Sequence, residues 1–134
     1  MPLILHGIGT AVPKQRLSQA EAVQVAYRIN AESPEQARLM SRIYQKTKVL
    51  NRGSVLLEND AELGTDQSRL SFYGSESPST AERMQAFGDH AGRLALEASL
   101  KAISDGNISS GAITHLVTVS CTGFQSPGVD LFFD

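Results

Sequence analysis

The stretch ITHLVTV, Ile113 to Val119, constrains this chain more than any other. Apart from His115 it is apolar or β-branched throughout, with no polar alternation. A run of that kind suits a strand covered on both faces, as in a parallel sheet flanked by helices. It passes directly into SCTGFQSPG, Ser120 to Gly128, where Gly123, Gly128 and Pro127 demand a tight loop. In open α/β sheets, ligands bind beyond the carboxyl ends of the strands. Ser120 to Gly128 is therefore where a site is expected, and it holds the chain's single cysteine, Cys121.

The remaining elements agree with that class. Leu3 to Ile8 is a short apolar run interrupted by Gly7 and closed by Gly9 and Pro13, and reads as a buried strand. Ser18 and Glu21 form a capping box ahead of Ala22, Val25, Ala26 and Ile29, which repeat at helical spacing. A second start follows, with Ser33 as N-cap, Pro34 at the first helical position and Gln36 completing a box. Ala37, Met40 and Tyr44 give that helix its inner stripe. Val55 to Leu57 is a candidate short strand, and Glu58 to Ser77 a long aperiodic loop. Ser79 and Glu82 box the start of a third helix, whose face runs from Met84 through Phe87, Ala91 and Ala95 to Ala102 before Asp105-Gly106 end it. The order strand, helix, helix, loop, helix, strand is an α/β pattern. Too few strands are present for a doubly covered sheet, so the chain is expected to be the front part of a longer protein.

Composition narrows the function classes. Twelve Lys and Arg against fourteen Asp and Glu leave a net charge of −2, which argues against a general nucleic-acid binder. One cysteine rules out an intrachain disulfide and a cysteine-rich zinc site. MPLILHGIG is too short and too soon broken by glycine for a signal peptide or membrane span, and a cytoplasmic setting is expected.

Four features could carry chemistry. Cys121 faces the expected cavity, but a nucleophilic cysteine needs a base, a cation or a helix N-terminus to lower its pKa, and Pro127 with two glycines argues for a turn instead. Nucleophile and cavity lining both stand as readings of the residues. His6, His90 and His115 lie in expected strands or a helix, where histidine is more often structural. Gly7-Ile8-Gly9 lacks the third glycine of a dinucleotide fingerprint, Val12 standing there, and no helix opens after it. Arg38, Arg42 and Lys46 follow at i, i+4 and i+8 on one face of the second helix. They read either as a solvated face or as a cationic strip that holds phosphates, with Lys48 and Arg52 adding positive charge nearby.

Taken together, ITHLVTVSCTGFQSPGVDL, PSTAERM and LHGIGTAVP resemble the amino-terminal part of type III polyketide synthases, the chalcone- and stilbene-synthase-like enzymes, and most closely the bacterial ones. The resemblance covers nearly all of residues 1–134. It implies a thiolase-like α/β fold of which this chain is the amino-terminal part, and a homodimer. The implied reaction is acyl transfer: an acyl-CoA starter is condensed with malonyl-CoA, with CoA thioesters as substrates and neither cofactor nor metal. No nucleic acid or membrane partner is implied. The family's catalytic cysteine, histidine and asparagine would all fall past Asp134, so no catalytic residue is assigned here and the chain alone is expected to be inactive. Cys121, Thr122 and Gly123 fall on the cavity-lining segment, and Ser126 where the family's loop reaches toward the partner subunit. Arg42 and Lys46 fall on positions that contact CoA phosphates. The third basic position falls on Leu39, with Arg38 beside it. A β-ketoacyl-carrier-protein synthase III-like enzyme and a non-catalytic truncated chain are the alternatives.

Overall fold

The structure, a computed structural model, describes residues 2–57, 72–73 and 78–133. The expected loop from Glu58 to Ser77 lies outside the described residues except for Phe72 and Tyr73, whose rings meet edge to face at 5.3 Å. Two compact units are present, Pro13–Pro78 and a second made of Met1–Val12 with Ser79–Asp134.

In the Pro13–Pro78 unit the order is β1 (Arg16–Ser18), α1 (Gln19–Asn30), α2 (Pro34–Lys46) and β2 (Asn51–Gly53). The two strands pair antiparallel, with Arg16 opposite Gly53 and Ser18 opposite Asn51. Gln19 N donates to Leu50 O and Ser54 N to Gln15 O, so the ribbon is closed at both ends. Ser18 ends β1 and caps α1 in the reciprocal manner expected: Glu21 N donates to its Oγ at 3.2 Å, and its own N–H donates to Glu21 Oε2 at 2.6 Å. Leu17, Ala22 and Leu57 form the core, with Val25 and Tyr44 packed against it.

Helix α2 starts at Ser33, whose Oγ accepts from Gln36 N at 3.3 Å, with Pro34 in the first turn. The expected return bond is displaced by one residue: Gln36 Oε1 accepts from Glu32 N, at 2.7 Å, and not from Ser33 N. Ala37, Met40 and Tyr44 are half-buried, as their spacing predicts, while Arg38, Arg42 and Lys46 are exposed. The expected strand at Val55–Leu57 is not formed. The paired residues are Asn51–Gly53, because Ser54 Oγ accepts from Leu56 N at 3.1 Å and turns the chain away from the ribbon.

The other unit is built on α3 (Thr80–Asp105). Its 26 residues give a rod roughly 39 Å long. Ser79 and Glu82 form the expected capping box, with bonds of 3.2 and 2.7 Å. At the far end the left-handed residue is Asn107, at φ 49°, and not Gly106. The segment around Gly7 and Gly9 lies directly on the last turns of α3, so close that a Cβ at either glycine would overlap backbone atoms of Ala98, Ala102 or Gly106. Ile8 N donates to Asp105 Oδ2 and Lys101 Nζ to Thr10 O, tying the segment to the helix. After α3 the chain makes a 3-10 turn at Ser110–Ala112 and another at Val129–Phe133, the second packed on α3. The Phe132 ring lies against Gly92, the one buried residue of α3.

Leu3 to Ile8 and Ile113 to Val119 are expected as strands of a parallel sheet, but among the described residues neither joins a ladder. Val117 is 82% and Val119 91% exposed, the reverse of the two-sided burial their composition suits. The reason is that a strand's hydrogen bonds are all made with neighbours, and neither segment has one among the described residues.

Candidate functional site: a cationic helix face and the cysteine loop

Arg42 and Lys46 share the exposed face of α2 with Arg38. None of the three forms an ion pair among the described residues. Arg52 is different. Its guanidinium stands 5.0 Å from the centre of the Tyr44 ring, and its Nε donates to Gln19 Oε1 at 3.1 Å. The other end of the same Gln19 amide donates to Tyr44 O at 2.7 Å and to Thr47 Oγ1 at 2.9 Å. Gln19 and Arg52 thus hold the last turn of α2, which carries Lys46, and Arg52 is committed to the scaffold. Lys48, at φ 56°, turns the chain from that helix end toward β2.

The cysteine loop belongs to the other unit. Gly123 N donates to Ser120 Oγ at 3.0 Å, which closes the turn around Cys121 and Thr122. Cys121 is exposed, and its Sγ lies 3.7 Å from Thr122 Oγ1. No histidine bonds to it among the described residues: His115 Nδ1 is 2.9 Å from Thr114 Oγ1, and His6 and His90 are exposed without a side-chain hydrogen bond. Gly123 sits against Phe87 of α3, and a groove of about 610 Å³ opens beside them. Phe87, Ala91, Ala95 and Ala98 form its floor, and residues 116–120 and 123–125 one side. Gly123 lines this groove; Cys121, Thr122 and Ser126 stand outside its wall. The peptide between Ser126 and Pro127 is cis.

Residues 2–134 match the family described as chalcone and stilbene synthases, N-terminal domain. The chain belongs to this family. Among relatives of this family member, Pks18 of Mycobacterium tuberculosis, named as an alpha-pyrone synthesis polyketide synthase-like protein, is 27% identical over 96% of the chain. Curcumin synthase 1 of Curcuma longa is 30% identical over 96% of it. The crystal structure of ORAS, a fungal type III polyketide synthase, superimposes over 96% of the chain with a TM-score of 0.68 at 26% identity. That of PKS-I from the brown alga Ectocarpus siliculosus superimposes over 97% with a TM-score of 0.72, and at 23% identity it speaks for the fold alone. The chain spans about 30% of the length of Pks18 and 31% of ORAS.

The feature that sequence reasoning missed is the Gln19–Arg52–Tyr44 network. Its signal was slight: a glutamine just after a helix cap, and an arginine counted only as one more positive charge. No described helix is long and apolar enough to cross a membrane. No three His, Cys, Asp or Glu among the described residues are grouped so as to hold a metal ion.

Proposed function

We propose that this chain is the amino-terminal part of a type III polyketide synthase that condenses an acyl-CoA starter with malonyl-CoA. The observation that carries the proposal is the end-to-end family match over residues 2–134, supported by the 26% identical superposition on a polyketide synthase. In such an enzyme the acyl group passes from CoA to a cysteine thiolate, with loss of CoA thiolate. Malonyl-CoA then loses CO₂, and the electron pair of the broken C–C bond becomes an enolate. The enolate carbon attacks the acyl thioester carbonyl, a new C–C bond forms and the enzyme thiolate leaves. Donors aimed at the enolate oxygen lower the barrier to decarboxylation.

The residues of this chain have supporting roles in that scheme. Arg42 and Lys46 hold CoA phosphates, which suits two cations one helical turn apart with no ion-pair partner among the described residues. Gly123, which lines the groove beside Phe87, belongs with Cys121, Thr122 and Ser126 to the loop that borders the space for the growing chain in the longer enzyme, and Cys121 is not the nucleophile. Its exposed thiol without a histidine partner supports this assignment. In the longer enzyme, Leu3 to Ile8 and Ile113 to Val119 would join a thiolase-like α/β sheet as strands. The exposed Val117 and Val119 are surface that this sheet would cover. A homodimer in the cytoplasm completes the reading.

The test is to supply the intact protein with an acyl-CoA and malonyl-CoA and to follow CO₂ release and product mass. Condensation that survives Cys121→Ser, with an acyl-enzyme still seen by mass spectrometry, is the expected result. Loss of acyl loading in that variant would make Cys121 the nucleophile. No condensation by the intact protein with any acyl-CoA would remove the proposal.

A further inference from the structure

The exposed face of α2 is not purely cationic. Leu39 is 57% and Ile43 50% exposed, and both lie on the same side of the helix as the cations. At about 100° per residue, Arg42, Lys46, Leu39 and Ile43 fall within an arc of roughly 100°, opposite the half-buried Ala37, Met40 and Tyr44. A single exposed leucine needs no explanation. Here two branched apolar side chains stand one turn apart, each three residues before a cation that has no ion-pair partner among the described residues. Glu35, in the first turn, bounds the strip at its amino end and would repel an anion there, which places the anion beside Arg42 and Lys46.

We infer that Leu39 and Ile43 form a platform for the adenine ring of CoA, whose phosphates Arg42 and Lys46 hold. The inference rests on the CoA reading of α2 and extends it from charge to shape. The ligand that fits must carry negative charge and a flat apolar surface side by side. Leu39 precedes Arg42, and Ile43 precedes Lys46, by about 5 Å along the axis. That offset suits a purine and the phosphates on its own ribose. Leu39 therefore does more than omit the family's third cation: it substitutes apolar contact with the base for a charge on the phosphates. The held end of the helix, where Gln19 bonds Tyr44 O, keeps this face in register.

The experiment is calorimetric titration of the intact protein with CoA, with adenosine 3′,5′-bisphosphate and with 4′-phosphopantetheine, which has no base. The variants are Leu39→Gln with Ile43→Gln, chosen because glutamine favours helix, and separately Arg42→Ala. Far-UV circular dichroism checks that each remains helical, and Leu39→Ala is the milder substitute should the double variant unfold. The glutamine pair is expected to weaken CoA and the bisphosphate about ten-fold, as loss of roughly one half-buried side chain's contact implies, and to leave phosphopantetheine unchanged. Arg42→Ala is expected to weaken all phosphate-bearing ligands. If Arg42→Ala weakens CoA and the glutamine pair does not, the platform is overturned and the phosphate strip stands. If neither changes CoA binding, both fall.

Discussion

The ring of Phe87 occupies the space that a side chain on Gly123 would need. This contact sets the distance between α3 and the cysteine loop, and with it the position of Cys121 two residues earlier. Gly123→Ala is therefore expected to push the loop off the helix. Overpacking of this kind costs about 1–3 kcal/mol. Chemical denaturation of the intact protein measures the loss, and Phe87→Leu in the same chain should recover part of it. An alanine variant as stable as the parent would show that the loop is free to shift.

Gln19→Leu removes the amide that joins Arg52 to the last turn of α2 while keeping side-chain volume. It leaves Tyr44 O with the Thr47 bonds alone. A loss of about 1–2 kcal/mol is expected. The loss should shrink when Arg52 is already absent, because the two act as a unit. A double-mutant cycle with Arg52→Ala reads that coupling; simple additivity would mean that the network is not cooperative.

Glu82 responds to acid in a defined direction. Its carboxylate accepts hydrogen bonds from the Ser79 hydroxyl and then from the Ser79 backbone, and both hold its pKa below the ordinary glutamate value. A depressed carboxylate stabilises the fold at pH values above its unfolded pKa, about 4.3. That contribution is lost as pH falls through the lower, folded value. Ser79→Ala is expected to return the Glu82 titration, followed by NMR, toward the ordinary range and to fray the start of α3. An unchanged Glu82 midpoint in that variant would mean that the cap does not hold the carboxylate.

Arg42→Ala and Lys46→Ala are each expected to weaken CoA binding about ten-fold, the usual scale for one charge-assisted hydrogen bond. Arg38→Ala should do less, since the resemblance that assigns Arg42 and Lys46 to CoA sets Leu39, and not Arg38, at its third basic position. Raising salt should narrow the difference between the variants and the parent. CoA affinity unchanged by Arg42→Ala would return the strip to a solvated face.

What could be read from the residues, and what could not, divides along the range of the interactions involved. Ser18 with Glu21, Ser33 with Pro34 and Ser79 with Glu82 announced α1, α2 and α3, because a helix closes its hydrogen bonds and its caps within four residues. The inner stripe of α2 and the alignment of Arg38, Arg42 and Lys46 followed from the same period. The family resemblance rests instead on motifs in unbroken sequence. The β1–β2 ribbon was invisible: Arg16–Ser18 and Asn51–Gly53 are too short to carry a pattern and exist only because folding brings them side by side. The reverse holds for Leu3 to Ile8 and Ile113 to Val119, which have strand composition but no neighbour among the described residues. Arg52 shows the same division at one side chain. Its charge is plain in the sequence, but only the tertiary structure places Tyr44 and Gln19 around it, and those partners decide that the charge braces a helix end.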